Sequence, residues 1–590
     1  MRVFRQIAIA AVGAIAVGTA AIPSGTAAAS PEHDQSDGIQ SMLSKMTLEQ
    51  KVGQLFVTYA YGDTATTTDP RYTAQNQALY GVDNGAELVS KYHLGGVIYF
   101  TWAGNLGNPT QLATLSNGLQ TAAAGSEGIP LLVSTDQEGG IVTRIGAPLA
   151  VSPGNMAIGA TFSPADSFSM SRVTGQQLSA LGINVDDAPV IDTNTNPRNT
   201  ADGTRAFGDQ PLQVAVMGAA SILGYQSAGV AATAKHFPGL GSTSVNTDNG
   251  IAVTDETRAD FERYDLPAFR AAIASGVDEI MAAHIVAPAL DPSGAPASLS
   301  KPIVTGLLRD KLHYDGVVVT DALEAAALEN VDPAQRAVQA VQAGDDELLM
   351  PTDLAAAQAA VLAAVHAGTI GVGRINQSVT RILKLKQKLG LFDNAQVDAA
   401  RANARVGTPA QNAIAAKTAA DSITLLRNGD STLPLASGTG KKILVTGWGS
   451  GTTQTLTTSI ATHGVATQRV YTGSAPNAKV VAAAVSAATN SDEVVVTTNN
   501  AWGDTGQQNL VSSLIATGKP VVVVALGGPY DLAYTPTATA FVAAYGYQNV
   551  TLTALVNTLF GTPPRGHLPV TVRTDDSSGV VATFGTGMTY

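Results

Sequence analysis

The chain has 590 residues, of which 45% are hydrophobic and 14% charged, and its formal net charge is −12. A chain of this length is expected to form more than one domain, with large apolar cores. The acidic balance argues against nucleic-acid partners, which require clustered Lys and Arg against phosphates. The absence of cysteine excludes disulfides, thiolate metal sites and a thiol nucleophile. We therefore expect a soluble protein that acts on a neutral ligand.

The first 29 residues have the features of an export signal. Arg2 and Arg5 give a positive start, an Ala-rich apolar stretch covers 7–21, and small residues suitable for cleavage stand at 27–29. The apolar stretch is short for a membrane span and contains glycine. The sequence therefore predicts a cleaved signal peptide over 1–29, with no membrane anchor, and a secreted mature protein.

Apolar runs rich in β-branched residues alternate with amphipathic stretches from about residue 40 to 385. Runs of this kind, separated by helical segments, predict parallel strands buried on both faces. Eight of them within about 350 residues predict an α/β fold of the (β/α)8 TIM-like barrel class. The runs are GQLFVTY near 53, GGVIYF near 95, PLLVSTDQ near 130, INVDDAPVID near 183, VAATAKHF near 230, EIMAAHI near 279, GVVVTD near 316 and ELLMP near 347.

The barrel domain is expected to span 30–393, and a sparse Ala/Asp/Asn segment over 394–412 is interpreted as a linker. A second alternation predicts a smaller doubly wound α/β sandwich domain over 413–590. Its glycines do not have the spacing of a dinucleotide fingerprint, since Thr452 stands at the last glycine position, so we interpret them as turn residues. The runs of this domain are KILVTG, DEVVVTTNN, KPVVVVALGG, TAFVAAYG and HLPVTV.

Polar residues follow five of the predicted barrel strands. In such a barrel, the loops after the carboxyl ends of the strands hold the chemistry. Lys235 and His236 end the fifth run, and Asp321 ends the seventh. The sequence therefore predicts one polar pocket at this mouth. The other groups are TDQEGG after run three, DTNTNPRN after run four and AHI at the end of run six.

Seven motifs occur in a fixed order: TDQEGGIVTR, APVIDTNTNPRN…GTRAFG, KHFPGLG, IMAAHI, PASLSKPIVTGLLRDKL, GVVVTDALE and LLMPTD. Together they closely resemble glycoside hydrolase family 3, and within it the bacterial β-N-acetylglucosaminidases. The resemblance is strong over about 40–390 and looser over the later domain. It implies a retaining mechanism, in which an aspartate forms a glycosyl-enzyme that water then releases. Asp321 in VVVTDALE matches that nucleophile.

The resemblance also implies a set of sugar-binding residues. They match Asp136, Arg144, Arg205, Lys235 and His236. These residue types suit a sugar, because a carboxylate accepts hydrogen bonds from hydroxyls while cations and imidazole donate in fixed directions. His284 is expected to line the same pocket, whereas Glu138 is interpreted as a residue that fixes its loop.

The loop after the fifth strand departs from the family pattern. The resemblance implies Gly-His-Gly and then Asp-Ser-His, whose last histidine is the general acid/base, but this chain has Leu240 and Asn246-Thr247-Asp248 at those places. Three alternatives follow. Asp248 is the acid, with a pKa raised by burial or nearby charge; or the acid is Glu324 or a carboxylate of the second domain; or the chain binds sugars with little or no cleavage. A carboxylate at this position would repel phosphate, so water is expected to accept the glycosyl group in the second step.

The resulting prediction is an exported retaining β-N-acetylglucosaminidase that releases terminal, non-reducing N-acetylglucosamine from cell-wall or chitin-derived saccharides, with Asp321 and Asp248 as catalytic residues. The alternatives are a β-glucosidase or β-xylosidase of the same family and a non-catalytic sugar-binding homologue. No cofactor is expected, because both steps need only nucleophilic and acid/base chemistry. No metal is expected either, because the histidines lack His-x-x-x-His and His-Glu-x-x-His spacings.

Overall fold

The computed structural model describes residues 31–438 and 440–590, so the predicted signal peptide over 1–29 lies outside the described residues. The chain divides after Lys45 into two units, with the helix Pro31–Lys45 in the first and residues 46–590 in the second. Within the two described ranges, no helix combines the length and apolar character needed to cross a bilayer.

Eight strands form one parallel sheet. They are β1 (Phe56–Thr58), β2 (Gly96–Ile98), β3 (Leu132–Thr135), β4 (Val185–Asp186), β5 (Ala231–Phe237), β6 (Glu279–Ala282), β7 (Val317–Thr320) and β8 (Leu348–Leu349). Strands that follow one another from β1 to β7 are paired, and β8 pairs with β1. A parallel bridge between Val319 and Glu347 joins the remaining edges and closes the ring. The predicted barrel is confirmed, and each strand lies in one of the eight apolar runs.

The barrel strands and helices follow from local sequence. The VVVT residues of β7 are all buried, as expected of β-branched residues between the barrel interior and the outer helices. Helix Pro109–Ser126 begins at the Asn108 cap, whose side chain accepts from Gln111 N, and has proline in its first turn. The main barrel helices are Pro70–Tyr80, Gly85–Tyr92, Pro109–Ser126, Pro164–Ala180, Pro211–Ser227, Leu266–Ala274, Pro302–Lys311, Pro333–Ala343, Leu354–His366 and Val372–Lys388.

The second domain contains a six-stranded sheet. Its strands are β9 (Thr424–Asn428), β10 (Lys442–Gly447), β11 (Ala466–Tyr471), β12 (Glu493–Thr498), β13 (Val521–Ala525) and β14 (Ala540–Ala543). The spatial order is β11-β10-β12-β13-β14-β9, with β9 antiparallel to β14. This order confirms the doubly wound prediction. The helices are Pro409–Ser422, Ser450–Ala461, Ala478–Thr489, Thr505–Ile515 and Asn549–Leu559, and β15 (Val572–Arg573) pairs with β16 (Val580–Ala582) outside this sheet.

The second domain contacts the loops around the barrel mouth. Gln548 Nε2 donates to Gly140 O at 2.5 Å, and Asn194 Nδ2 donates to Tyr530 Oη at 3.1 Å. Gly140 lies in the loop after β3 and Asn194 in the loop after β4. The second domain therefore braces two of the loops in which the sequence predicts polar functional residues.

Candidate active site

Four charged side chains from three segments meet at the carboxyl ends of the barrel strands. Lys235 Nζ, on β5, donates to Asp136 Oδ1 at 2.9 Å and to Glu138 Oε1 at 2.8 Å, both after β3. Arg205, after β4, donates through Nε and Nη2 to the two Glu138 oxygens, each at 2.8 Å. Lys235 and Asp136 are 99 positions apart in sequence. They meet because the carboxyl ends of parallel strands open at one face of the barrel. We call these four residues the charged clamp.

The two carboxylates of the charged clamp differ in accessibility. The Glu138 side chain is 1% exposed, and two cations occupy its oxygens. Although burial opposes ionisation, the charges of Arg205 and Lys235 hold the pKa of Glu138 well below its usual range. The Asp136 side chain is 17% exposed, so it remains open to a ligand. Glu138 therefore orders two cations from other segments, whereas the sequence predicted that it fixes its own loop.

Asp136 has a second cationic partner, Arg144, whose Nη2 donates to Asp136 Oδ2 at 3.1 Å. Burial alone would raise the pKa of Asp136, but the charges of Lys235 and Arg144 lower it below the usual value. An ionised carboxylate with fixed orientation can accept hydrogen bonds from two adjacent hydroxyls. The structure thus brings Asp136, Arg144, Arg205 and Lys235 together at one mouth.

His236 is oriented by a carboxylate that sequence reasoning missed. Asp192, after β4, accepts from His236 Nδ1 at 2.7 Å and from Leu240 N at 2.9 Å. Burial opposes protonation of His236, but the charge and hydrogen bond of Asp192 outweigh it and raise the pKa of His236. The other ring nitrogen, Nε2, lies 3.3 Å from Arg205 Nη2. The imidazole therefore faces the same space as the charged clamp.

Asp192, Asp202 and His236 form a cluster of potential metal ligands, with one atom of each within 4.8 Å of the others. The cluster is buried, and His236 already donates to Asp192. Asn199 Nδ2, from outside the cluster, donates to Asp202 Oδ2 at 3.1 Å, while Asp202 Oδ1 has no hydrogen-bond partner among the described residues. Burial, followed by the charge of Asp192, raises the pKa of Asp202 to about 7. This arrangement favours a hydrogen-bonded support beneath His236 over an ion site.

Asp321 follows β7 at the same mouth. Its backbone N donates to Ala282 O at the end of β6 (2.9 Å), and its Oδ1 accepts from Ala322 N at 2.8 Å. The Asp321 charge is one of the causes that act on the pKa of His236 and of Asp248. Asp321 therefore lies within electrostatic reach of both His236 and the loop that contains Asp248.

His284 differs from the other predicted sugar-binding residues. It is fully buried, its Nε2 donates to Ala322 O at 2.9 Å, and its Nδ1 accepts from Ser298 Oγ at 2.7 Å. Burial lowers the pKa of His284, which favours the neutral ring. Since both ring nitrogens have protein partners, the geometry favours positioning of the segment after Asp321 over the predicted sugar contact.

The loop that contains Asp248 is fixed by neighbouring loops. Gly241 packs so closely on the loop after β4 that an added Cβ would lie 1.9 Å from Thr193 O. At the other end, Ala327 N, after β7, donates to Thr247 O at 3.1 Å. These contacts fix the loop that contains Asp248 between the loops after β4 and β7, although its sequence motif differs from Asp-Ser-His.

Asp248 is electrostatically suited to hold a proton. Asp248 is exposed at the surface of its loop, but partial desolvation by the surrounding protein and then the negative charge of Asp321 raise its pKa above the usual value, despite opposing charges on Arg205 and His236. Burial and the charge of Asp248 likewise raise the pKa of Glu324. The charged groups with the largest effects on the pKa of Asp248 are Asp321, Arg205 and His236, and all three belong to the barrel. Because the charge of Asp248 acts on Glu324, these two acid candidates predicted from the sequence lie near each other.

Two buried carboxyl groups beneath the site predict a pH dependence of stability. Burial, followed by the charge of a neighbouring aspartate, raises the pKa of both Asp187 and Asp202 to about 7. The stabilising contribution of each group is full below the pKa of an unfolded aspartate, near 4. It falls by about 1.4 kcal/mol per pH unit as the pH rises from there, and it is lost once the pH has passed the folded-state pKa of about 7. We expect the free energy of unfolding, from urea titrations, to fall between about pH 5 and pH 7.

Asp187→Asn removes one of these groups and should make the decline less steep. Asp393→Asn, at an exposed position after the last barrel helix, is the matched control for loss of one negative charge. A free energy of unfolding that rises over this pH range, or an equal change of slope in both variants, contradicts the prediction.

Two family models match the chain in order. Residues 47–385 match "Glycosyl hydrolase family 3 N terminal domain", and residues 423–588 match "Glycosyl hydrolase family 3 C-terminal domain". The first model alone covers more than half of the chain, and the two matches correspond to the barrel and to the second α/β domain.

Individual proteins are similar as well. The chain is 37% identical over 351 residues to "Beta-hexosaminidase A" of Pseudoalteromonas piscicida (55% of this chain, 58% of that protein). It is 32% identical over 394 residues to "Beta-N-acetylglucosaminidase/beta-glucosidase" of Cellulomonas fimi (65% of each). These matches thus span less than two thirds of either relative's length.

A solved structure extends the similarity to both domains. The glycoside hydrolase family 3 beta-N-acetylglucosaminidase from Paenibacillus sp. str. FPU-7 has a TM-score of 0.79 at 36% identity, covering 89% of this chain and 99% of that one. Given two matching domain models, this shared architecture and the ordered polar residues at the barrel mouth, the chain belongs to glycosyl hydrolase family 3.

Proposed function

We propose that the protein is an exported, retaining β-N-acetylglucosaminidase that hydrolyses terminal, non-reducing β-linked N-acetylglucosamine from cell-wall or chitin-derived saccharides. The observation that carries this proposal is the convergence of the charged clamp and His236 with Asp321 at one barrel mouth. The names of the relatives support the amino sugar. Export is supported by the signal-like sequence over 1–29.

The charged clamp and Arg144 hold the terminal sugar. Asp136 accepts hydrogen bonds from ring hydroxyls, while Lys235, Arg144 and Arg205 donate to hydroxyl oxygens. Because Lys235 and Arg205 are already fixed by Glu138, little reorganisation is needed when the sugar arrives. The sugar is thereby positioned with its anomeric carbon toward Asp321.

In the first step, a carboxylate oxygen of Asp321 bonds to the anomeric carbon as the bond from that carbon to the leaving oxygen breaks. Asp248 gives its proton to the leaving oxygen. The raised pKa of Asp248 supports this role, because an acid must still hold its proton near working pH. The products of this step are a glycosyl-Asp321 ester and an ionised Asp248.

In the second step, ionised Asp248 takes a proton from water, whose oxygen attacks the anomeric carbon and releases Asp321. A negatively charged Asp248 disfavours an anionic acceptor such as phosphate by like-charge repulsion. Hydrolysis is therefore the proposed outcome, with the anomeric configuration retained by two successive inversions.

A β-glucosidase is the second candidate, because the Cellulomonas fimi relative is named for both activities. Initial rates with 4-nitrophenyl β-glycosides of N-acetylglucosamine, glucose and xylose separate the two. We expect kcat/KM to be at least about 10-fold higher for the N-acetylglucosaminide, equivalent to about 1.4 kcal/mol of selectivity. Release from the glucoside or xyloside without release from the N-acetylglucosaminide would overturn the proposed substrate.

A further inference from the structure

The side of the mouth formed by the ends of β1 and β2 is aromatic. Trp102 stacks on Phe100, with ring centroids 4.8 Å apart and an interplanar angle of 18°, and meets Tyr59 edge-on at 4.5 Å. Tyr61 meets Trp102 at 5.9 Å. Tyr59 and Phe100 are buried, whereas Trp102 is 52% exposed. The buried rings therefore hold a large apolar surface toward solvent in a fixed orientation.

This aromatic group borders the charged clamp on one side. The Arg144 guanidinium lies 5.4 Å from the centre of the Phe100 ring, within range of a cation–π interaction. The same guanidinium donates to Asp136 of the clamp. Phe100 thus links the exposed face of Trp102 to the sugar-binding carboxylate through one shared arginine.

The group also borders the catalytic side of the mouth. Tyr59 and Phe100 pack in one apolar cluster with Ala322, the neighbour of Asp321. Burial and then the charge of Glu324 raise the pKa of Tyr59 to about 12. Trp102 therefore stands on a rim that runs from Arg144 to the segment after the proposed nucleophile.

We propose that Trp102 is the binding surface for the leaving-group sugar, the ring bonded to the N-acetylglucosamine held in the clamp. This inference rests on the proposed function. A pyranose ring presents C–H groups on its faces and hydroxyls around its edge, so its face packs on an aromatic ring while its edge stays hydrated. Because the terminal ring occupies the clamp, the next ring of a β-linked saccharide projects out of the mouth toward the rim. The ligand class is a neutral saccharide of two or more rings.

Trp102→Ala tests this on two substrates that both release an alkoxide, N,N′-diacetylchitobiose and methyl β-N-acetylglucosaminide. We expect kcat/KM for the disaccharide to fall about 10-fold or more, as for an aromatic anchor, and kcat/KM for the methyl glycoside to change less than about 2-fold. Trp102→Phe should retain most of the disaccharide activity. Tyr471→Ala, at a 45% exposed aromatic on edge strand β11, is the matched control and should change neither value.

An equal loss on both substrates, or no loss on the disaccharide, overturns the Trp102 proposal while leaving the glycosidase intact. A binding readout covers the case of very slow turnover. The chain has three tryptophans, so Trp448→Phe with Trp502→Phe leaves Trp102 as the sole indole emitter. In an Asp321→Asn background, the disaccharide should change this emission more than N-acetylglucosamine does. Equal emission changes overturn the proposal, and absence of disaccharide binding by calorimetry overturns the proposed function together with it.

Discussion

Asp321→Asn is expected to lower kcat/KM for 4-nitrophenyl β-N-acetylglucosaminide by about 10⁴-fold or more. An amide does not form the ester with the anomeric carbon on which the retaining mechanism depends. The amide oxygen of asparagine can still accept from Ala322 N, as Asp321 Oδ1 does, so the local fold should persist. Initial rates and the melting temperature, measured on the same preparations, distinguish lost chemistry from lost structure.

Asp315→Asn is the matched control, since Asp315 is exposed and precedes β7 at the opposite end of the same strand. It should leave the rate unchanged. A 2-fluoro glycoside and peptide mass spectrometry should give a covalent adduct on Asp321 in the unaltered protein. An adduct on another residue contradicts the assignment. Sugar binding with neither adduct nor turnover identifies the chain as the non-catalytic homologue.

Asp248→Ala is expected to affect substrates according to their leaving groups. With a sugar or methanol leaving group, which needs protonation, the rate of glycosyl-enzyme formation should fall about 10²- to 10⁴-fold. With 2,4-dinitrophenolate, which leaves without a proton, this step should change less than about 10-fold. Azide should then accelerate turnover of the dinitrophenyl substrate, because it is a nucleophile that needs no general base. The checks are pre-steady-state rates and detection of a glycosyl azide.

Glu324→Gln provides the comparison for Asp248→Ala, because Glu324 is the neighbouring acid candidate. If the dependence on the leaving group appears in Glu324→Gln and not in Asp248→Ala, the assignment moves to Glu324. Asp248→Ala should also remove the high-pH decline of kcat/KM. The decline begins at the pH at which the acid loses its proton. Because the pKa of Asp248 is raised, this pH should lie above the usual pKa range of an aspartate.

The barrel could be predicted in full because each of its strands is buried and lies within a mostly apolar run, even where the strand itself contains a charged residue, such as Asp186 in β4. Strands β9 and β11 were not predicted, and they form the two edges of the six-stranded sheet. The residues of β11, ATQRVY, are exposed or partly exposed, and the last three residues of β9 are partly exposed. The run HLPVTV was predicted as a strand of the second domain, but only its last residue is in a strand, β15, outside the main sheet. Pro569 within this run lacks the N–H that a ladder requires.

For the site, the sequence indicated which strand ends bear charged residues but not which residues bind one another. The bonds from Lys235 to both Asp136 and Glu138 depend on the ring of strands, which local sequence does not encode. Nothing in the sequence indicated that Asp192 orients His236, beyond the position of Asp192 after β4. His284 was expected to line the pocket, but both of its ring nitrogens have protein partners, Ser298 Oγ and Ala322 O, which the sequence does not indicate.

The bond from Gln548 to Gly140 has a mechanical consequence. Gly140 is two positions after Glu138, which binds Lys235 and Arg205. A rigid-body rotation of the second domain would therefore displace the loop that contains Glu138. Catalysis in this protein is therefore expected to proceed without a large opening and closing cycle between the domains. Denaturants that weaken the interface between the barrel and the second domain should lower the affinity for sugar at concentrations below those that unfold either domain.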